Sequence, residues 1–264
     1  KENAGEGTFK MKFGNMDSLG TVLEQEMARY NNLLAVLRST LAGLKMALKG
    51  EALMSATLDE VRFAMTTNIV PNTWRKAAYP SKKPLASWLK DLYKKLEMMD
   101  NWLRNGQPPV FWIAGLFFPQ GFLTGVLQNH ARKYQIAIDR LNYGFTVMDY
   151  YENNEKLEPV QDGVYISGLF MDGARWDVKD HLVRDSHFGE LFSLMPILHF
   201  RPEVNHVLKK GLYVCPVYKT STRAGQLSTT GMSTNFVLAV ELPVDIAPET
   251  WILKGVACLT QTDS

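Results

Sequence analysis

The chain has 264 residues, of which 46% are hydrophobic and 21% charged, and its formal net charge is +2. A chain of this length buries about 70 to 75% of its unfolded surface, which predicts a folded globular protein of one large domain or two small ones. Basic and acidic residues are interspersed along it, so it lacks the electrostatic footprint typical of nucleic-acid-binding and membrane-surface proteins. We therefore expect neither partner.

The beginning of the chain and its cysteines bear on its origin. The first residue is Lys1 rather than Met, and no charged and then apolar leader follows, so we expect a fragment of a longer protein that opens with a flexible lead-in over residues 1–16. Cys215 and Cys258 each lie in an apolar run without Cys-x-x-Cys spacing. This predicts neither a disulfide framework nor a zinc site, and it fits a reducing cytosolic setting.

Two segments near the start repeat apolar side chains at alternating steps of four and three, the spacing of a coiled-coil contact. They predict one long helix over residues 21–49 and a second between Pro84 and Gly106, while a capping box from Thr57 to Glu60 predicts a shorter helix between them. We predict a helical subdomain over residues 17–105 in which the two long helices pair antiparallel. The repeated positions are Leu23, Met27, Tyr30, Leu34, Leu37, Leu41, Leu44 and Leu48, then Leu85, Leu89, Leu92, Leu96, Met99 and Leu103.

Three lysines of the second long helix, Lys90, Lys94 and Lys95, mostly avoid the repeated positions. Their pattern favours a solvated helix face, and a specific acidic partner is the alternative.

The most aromatic run of the sequence follows, and we predict that residues 106–139 form a central strand with a helix packed on it. Residues 110–118 are apolar without alternation, which is typical of a strand covered on both faces. Pro119 suits the first position of a helix, and Gly121 and Gly125 lie one turn apart, where they would let that helix approach a neighbour closely. The turn contains no phosphate-binding glycine motif.

From residue 140 onward the periodicity becomes that of strands. Asp172 and Gly173 predict a hairpin turn, and Pro196 and Pro216 inside apolar runs predict exposed sheet edges. The predicted fold class is α+β, with the helical subdomain followed by a small, incompletely closed antiparallel β-barrel over residues 140–264. The candidate strands are residues 143–148, 164–170, 175–178, 194–200, 212–218, 236–242 and 252–259.

The histidine, aspartate and serine residues do not occur at the spacings that are typical of metal sites or catalytic sites. No histidine lies in an H-E-x-x-H pattern, and the adjacent Asp185, Ser186 and His187 point apart, whereas a triad is assembled from distant segments. The polar run of residues 228–234 has no lysine and precedes a strand, which favours a hairpin loop over a phosphate loop. We predict no catalytic, cofactor-binding or metal-binding residue.

Several long motifs in fixed order resemble the C-terminal domain of axonemal dynein heavy chains. They are Pro-Pro-Val-Phe-Trp-Ile-Ala-Gly-Leu-Phe-Phe-Pro-Gln-Gly-Phe-Leu-Thr-Gly at residues 108–125, followed by residues 129–133, 162–176, 216–221, 227–237 and the end of the sequence around Trp251 and 254–257. Residues 179–212 fit the family pattern least, and Lys254 stands where an arginine is expected.

The resemblance implies an ATP-driven microtubule motor, directed to the minus end, that drives ciliary or flagellar beating. ATP and Mg²⁺ would bind in an AAA+ ring elsewhere in the parent protein, and this segment would be a non-catalytic cap that braces the ring and tunes motor output. The implied partners are the ring in cis, dynein intermediate and light chains, and the microtubule through the parent's stalk. The implied location is the cytoplasm and cytoskeleton, in the axoneme of a cilium or flagellum.

Nine aromatic and glycine residues of these motifs are predicted to be structural core. They are Trp112, Gly115, Phe117, Phe118, Gly121, Gly125, Gly168, Trp176 and Phe236. A free-standing small-molecule binding module or enzyme built on the barrel is the alternative hypothesis.

Overall fold

A computed structural model describes residues 17–151, 157, 160–223 and 234–264. The predicted lead-in, residues 1–16, and all but the last residue of the polar run at 228–234 lie outside the described residues.

The described helices begin and end largely at the expected signals. Asp17 caps the first helix by accepting a hydrogen bond from the Gly20 N–H, and Gly106, at φ 85°, ends the fourth. Ser55 caps the second helix, two residues before the predicted capping box. The helices are α1 (Ser18–Leu48), α2 (Ala56–Thr66), α3 (Asn72–Ala77), α4 (Leu85–Asn105), α5 (Pro119–Tyr134) and α6 (Pro248–Leu253).

The predicted antiparallel pairing of the two long helices is not confirmed, although α1 and α4 do touch. Helix α1 packs more extensively against α5, α2 and α3 than against α4, and Leu41 and Leu48 near its end are exposed. Gly125 of α5 explains the preferred neighbour, because a Cβ there would lie only 3.0 Å from Val22 Cγ2 on α1. Apolar spacing predicted only part of the buried face of each helix, since Leu89 of α4 is also exposed while Leu33 and Trp88 are buried, and it did not identify the partner.

The strands of the described residues form three sheets, in the orders β1-β3-β8-β2, β10-β9-β11-β4-β7 and β5-β6, and none of these sheets closes into a barrel. The predicted small barrel is therefore not confirmed. The strands are β1 (Val110–Trp112), β2 (Leu141–Val147), β3 (Val164–Ser167), β4 (Phe170–Asp172), β5 (Arg175–Asp177), β6 (Leu182–Arg184), β7 (Phe192–Leu194), β8 (Leu198–Val204), β9 (Leu212–Tyr218), β10 (Phe236–Pro243) and β11 (Ala257–Leu259).

Two local breaks account for this difference. Gly168, at φ 83°, divides the predicted strand of residues 164–170 into β3 and β4, which join different sheets. The predicted hairpin at Asp172 and Gly173 is also wrong, because β4 pairs with β11 and β7 whereas β5 pairs with β6. Strand β11 lies parallel to β9, so the five-stranded sheet is mixed rather than antiparallel.

The predicted central strand is a short edge strand. Strand β1 has three residues and pairs with β3 in parallel at one end of its sheet. The apolar run then turns through a 3-10 segment, Ile113–Gly115, before α5 begins at Pro119. These residues are buried because helices pack over them, so the uninterrupted apolar pattern reflects a covered loop.

Buried side chains from helices and sheets belong to one hydrophobic cluster, which extends from Leu23 of α1 through Phe111 and Phe122 to Val217 of β9. The subdivision predicted at residues 105 and 139 stays a prediction.

Candidate functional site

The loop between β1 and α5, residues 113–118, lies where the helices meet the sheets, and α1 holds it with two polar side chains. The buried Glu26 carboxylate accepts hydrogen bonds from the backbone N–H groups of Phe117 and Phe118, the latter at 2.9 Å. The Tyr30 hydroxyl donates to the Gly115 carbonyl at 2.8 Å. These bonds satisfy backbone groups that α5 and β1 leave unpaired.

Helix α4 holds the same loop through a buried lysine. Lys95 is 1% exposed, and its ammonium donates to the Ala114 carbonyl and lies 3.3 Å from Asp91 Oδ2. The rings of Tyr79 and Trp112 face the ammonium at 4.4 and 4.9 Å. The predicted solvated position is therefore wrong for Lys95, because its charge is compensated inside the core.

Glu26, Tyr30 and Lys95, with the loop they hold, are called the polar clamp below. Burial lowers the pKa of Lys95 to about 8, although the Asp91 carboxylate favours its charged form. Burial raises the pKa of Glu26, against the opposing effect of the Phe117 and Phe118 N–H groups. The polar clamp therefore connects α1 and α4 to the loop. The side-chain polar atoms of Glu26, Tyr30 and Lys95 form hydrogen bonds with the loop backbone.

Three of the predicted core residues come together beside the polar clamp. A Cβ on Gly168 would overlap the Trp112 ring, and a Cβ on Gly115 would overlap Met98 and lie 3.1 Å from Trp112 Cε3. Trp112 thus packs against two glycines, but it is only half-buried, contrary to the expectation of a fully buried side chain.

The next three predicted core residues surround the start of α5. Phe117 is half-buried and meets Tyr30 edge to face at 5.4 Å. Phe118 is 40% exposed, so it is not a core residue, and the Arg29 guanidinium lies 5.4 Å from its ring centre. Gly121 gives room to the Phe118 ring rather than to a neighbouring helix.

The last three lie apart from the polar clamp. Gly125 is buried against α1, and Trp176 is buried in β5. Phe236 is half-buried and packs on Tyr218 at 5.8 Å.

An open groove along α4 adjoins the polar clamp, with a volume of about 580 Å³. Its lining includes Lys83, Lys90 and Lys94 of the helical part, Trp112, and Gln261 near the end of the sequence. We call it the basic groove.

A second surface consists of exposed apolar side chains at the end of α1, in α2 and in the segments that flank α2. We call it the apolar end. Leu53 and Phe63 are its most exposed members, at 93% and 64%. Its residues are Leu41, Met46, Leu48, Leu53, Met54, Phe63, Met65 and Ile69.

The remaining candidates for chemistry stay separate in the structure. Asp185 forms an ion pair with Lys254. Cys215 and Cys258 are buried free thiols with their Sγ atoms 3.6 Å apart. Within the described ranges, no group of three or more histidine, cysteine, aspartate or glutamate side chains is placed to hold a metal ion.

None of the helices in the described part of the protein is both long and apolar enough to cross a membrane.

Sequence reasoning missed the polar clamp, although two signals for it exist. Glu26 sits next to Met27 on the apolar face of α1, four residues before Tyr30, and Asp91 precedes Lys95 by four residues on α4. Such spacings place the side chains on one helix face, but only the packing of the loop shows that the face is buried.

Comparison with known proteins gives a consistent result over nearly the whole sequence. A sequence profile described as the C-terminal domain of the dynein heavy chain matches residues 2–260. Human dynein axonemal heavy chain 6 is 43% identical over 98% of this protein, mouse dynein axonemal heavy chain 1 is 47% identical over 94%, and rat dynein axonemal heavy chain 12 is 46% identical over 94%. The alignments span 6 to 8% of the length of these relatives.

Proposed function

Because the chain belongs to the family of C-terminal domains of dynein heavy chains, we propose that it serves as the C-terminal module of an axonemal dynein heavy chain. The parent is an ATP-driven motor that moves toward microtubule minus ends in the axoneme of a cilium or flagellum. Its ATP and Mg²⁺ sites and its microtubule-binding stalk lie outside this segment. The module's partner is the parent's AAA+ ring in cis, and intermediate and light chains belong to the same complex.

The apolar end is the observation that supports a bracing role. More than nine-tenths of each aligned relative lies outside the aligned segment, so a large part of the same polypeptide is available to cover this surface. Helix α1 has 31 residues, about 46 Å at 1.5 Å per residue, and the polar clamp holds it near its other end. The module thus braces the ring by docking the apolar end on it.

The sheet side is proposed to tune motor output by favouring particular ring conformations. Phe188 and Leu191, between β6 and β7, are fully and 75% exposed, which leaves apolar contacts available to a moving neighbour. Deleting residues 140–264 would not test this, because helices and sheets share one hydrophobic cluster.

Charged substitutions at exposed positions test the bracing role within the parent motor domain. Leu53→Asp with Phe63→Asp is expected to lower the thermal stability of the ring, because charges would enter a docked apolar surface. Leu253→Asp is the matched control, since Leu253 is exposed to a similar degree on α6. Equal melting temperatures for the double variant and the parent would contradict bracing. An equal loss of thermal stability in the control would show that the effect is not specific to the apolar end.

Phe188→Asp with Leu191→Asp tests tuning separately. We expect unchanged ring stability with altered gliding velocity, force or run length. If all three motility measures equal those of the parent, the tuning role is wrong.

The module is proposed to be non-catalytic. Titration calorimetry of the 264-residue protein with Mg-ATP is expected to show no binding, because the sequence has no glycine-rich loop with the lysine that cradles phosphates. Micromolar, Mg²⁺-dependent binding would overturn this part of the proposal.

A further inference from the structure

The basic groove continues into a second groove along α4. The second has a volume of about 540 Å³, shares Lys94 and Trp112 with the first, and ends at Pro108 and Pro109. From Lys90 to the end of α4 at Asn105 the helix rises about 22 Å at 1.5 Å per residue. This length accommodates roughly seven residues of extended peptide at about 3.3 Å each.

The net charge of the basic groove is positive, because the lining carboxylate of Asp91 is paired with Lys95 while three lysines also line the groove. Lys95 is compensated internally by Asp91, and Lys83 donates to the Ser264 carbonyl. Lys90 and Lys94 are exposed and form no ion pair with a residue of the described ranges. They lie four residues apart on α4, so both ammonium groups project from one face of the helix.

The lining of the basic groove also contains a buried acceptor. Gln261 is 7% exposed, and its side-chain N–H donates to the Pro80 carbonyl. Its Oε1 atom is buried and has no hydrogen-bond partner among the residues described. Buried acceptors are normally paired, so this atom suits a donor that arrives from outside, such as a backbone N–H.

Trp112 supplies the apolar component. It is half-buried and lines both grooves, so part of its indole is open to an apolar side chain or a proline.

We propose that the basic groove binds an extended acidic peptide segment of a partner protein. The peptide places carboxylates on Lys90 and Lys94, donates a backbone N–H to Gln261 Oε1, and rests an apolar side chain on Trp112. Two unpaired lysines match a few carboxylates, whereas a nucleic acid, with a charge at every phosphate, needs a longer basic surface. This role goes beyond bracing, because the groove follows α4 and the apolar end belongs to α1 and α2.

Fluorescence anisotropy with the 264-residue protein tests the proposal. The probes are a fluorescein-labelled polyglutamate peptide of about eight residues and a polyglutamine peptide of the same length. We expect the polyglutamate peptide to bind more tightly, with an affinity that falls as salt is added. Lys90→Glu with Lys94→Glu should weaken binding about tenfold or more, since attraction becomes repulsion at two contacts.

Lys209→Glu with Lys210→Glu is the matched control, because both lysines are exposed and lie away from the groove. This variant should bind as the parent does, and Gln261→Leu should bind more weakly. Circular dichroism melts verify that each variant is folded.

Three results would overturn the proposal. They are equal binding of the two peptides, equal loss of affinity in the two lysine variants, and tighter competing binding by inorganic polyphosphate or single-stranded nucleic acid. The last would identify a general polyanion site. None of these results bears on the bracing role, which is measured on ring stability.

Discussion

The buried pair of Lys95 and Asp91 makes the polar clamp sensitive to the loss of one charge. Lys95→Met keeps the side-chain volume but leaves Asp91 uncompensated and the Ala114 carbonyl without its donor. We expect a loss of about 3 to 5 kcal/mol in the free energy of unfolding.

A double-mutant cycle in urea checks this expectation. Adding Asp91→Asn to Lys95→Met should recover part of the loss, because the uncompensated charge is removed. Strictly additive effects of the two substitutions would show that the pair is not coupled.

His206 connects two sheets, and its ionisation should make the stability of the protein depend on pH. Its Nδ1 and Nε2 atoms lie 2.7 Å from carboxylate oxygens of Glu203 on β8 and Glu241 on β10. Hydrogen bonds to Glu241 and then Glu203 raise the pKa of His206 above its usual 6.5. A raised pKa in the folded state means that the stabilisation is fully present below the unfolded value and is lost as the pH rises through the folded value.

His206→Gln should therefore destabilise the protein more at about pH 6 than at about pH 9. Denaturant unfolding of parent and variant at both values measures the difference. Glu203 does not disturb this comparison. The hydrogen bond from Arg201 lowers the pKa of Glu203, so the contribution of the Glu203 carboxylate to stability is lost only as the pH falls into the acid range, below both test values. An equal or larger loss at the higher value would refute the link.

Trp112, Gly115 and Gly168 were predicted separately as core residues and lie together, although Trp112 is only half-buried. The prediction that Phe118 is a core residue was wrong. Its ring is exposed beside Pro119 and packs against the cationic groups of Arg29 and Lys219. The polar clamp was missed because burial of Glu26 and Lys95 depends on distant segments.

Among the elements, the break between β3 and β4 depends on one glycine and can be tested. Gly168→Ala places a Cβ at φ 83° and against the Trp112 ring, so both backbone strain and overlap oppose it. Gly211→Ala, at φ 80°, meets no atom within 4 Å and carries the strain alone. We expect Gly168→Ala to cost about 1 to 3 kcal/mol more than Gly211→Ala.

Thermal and urea unfolding of the two alanine variants give the comparison. Equal losses would mean that Trp112 moves aside freely and that the glycine is not needed for its packing.

Some elements with local signals were predicted well. Residues 212–218 were expected to form a strand and do so as β9, and Pro119 and Gly106 mark helix ends as expected. The sheet edge expected at Pro216 is wrong, because β9 lies between β10 and β11. Residues 252–259 were expected to be one strand but contain the end of α6 followed by β11. A short apolar run is compatible with either structure, so periodicity alone does not separate them.

At the scale of the whole molecule, the family and the α+β fold class could be predicted from the sequence, but the pairing of the strands could not. Pairing joins segments far apart in the sequence, such as β1 with β3 and β2 with β8, and no turn between consecutive strands specifies these pairs. The barrel was predicted from the number of closely spaced strands. In the structure, the strands before and after Gly168 belong to different sheets, and β11 lies between β9 and β4.

The position of β11 has a consequence for how the protein is made. Without β11, the five-stranded sheet separates into the pairs β10-β9 and β4-β7, each with an open inner edge. Synthesis proceeds at about 5 to 20 residues per second, so β9 waits roughly 2 to 8 s for the strand that lies beside it. During translation these two edges are therefore open to pairing with other polypeptides until β11 has been made.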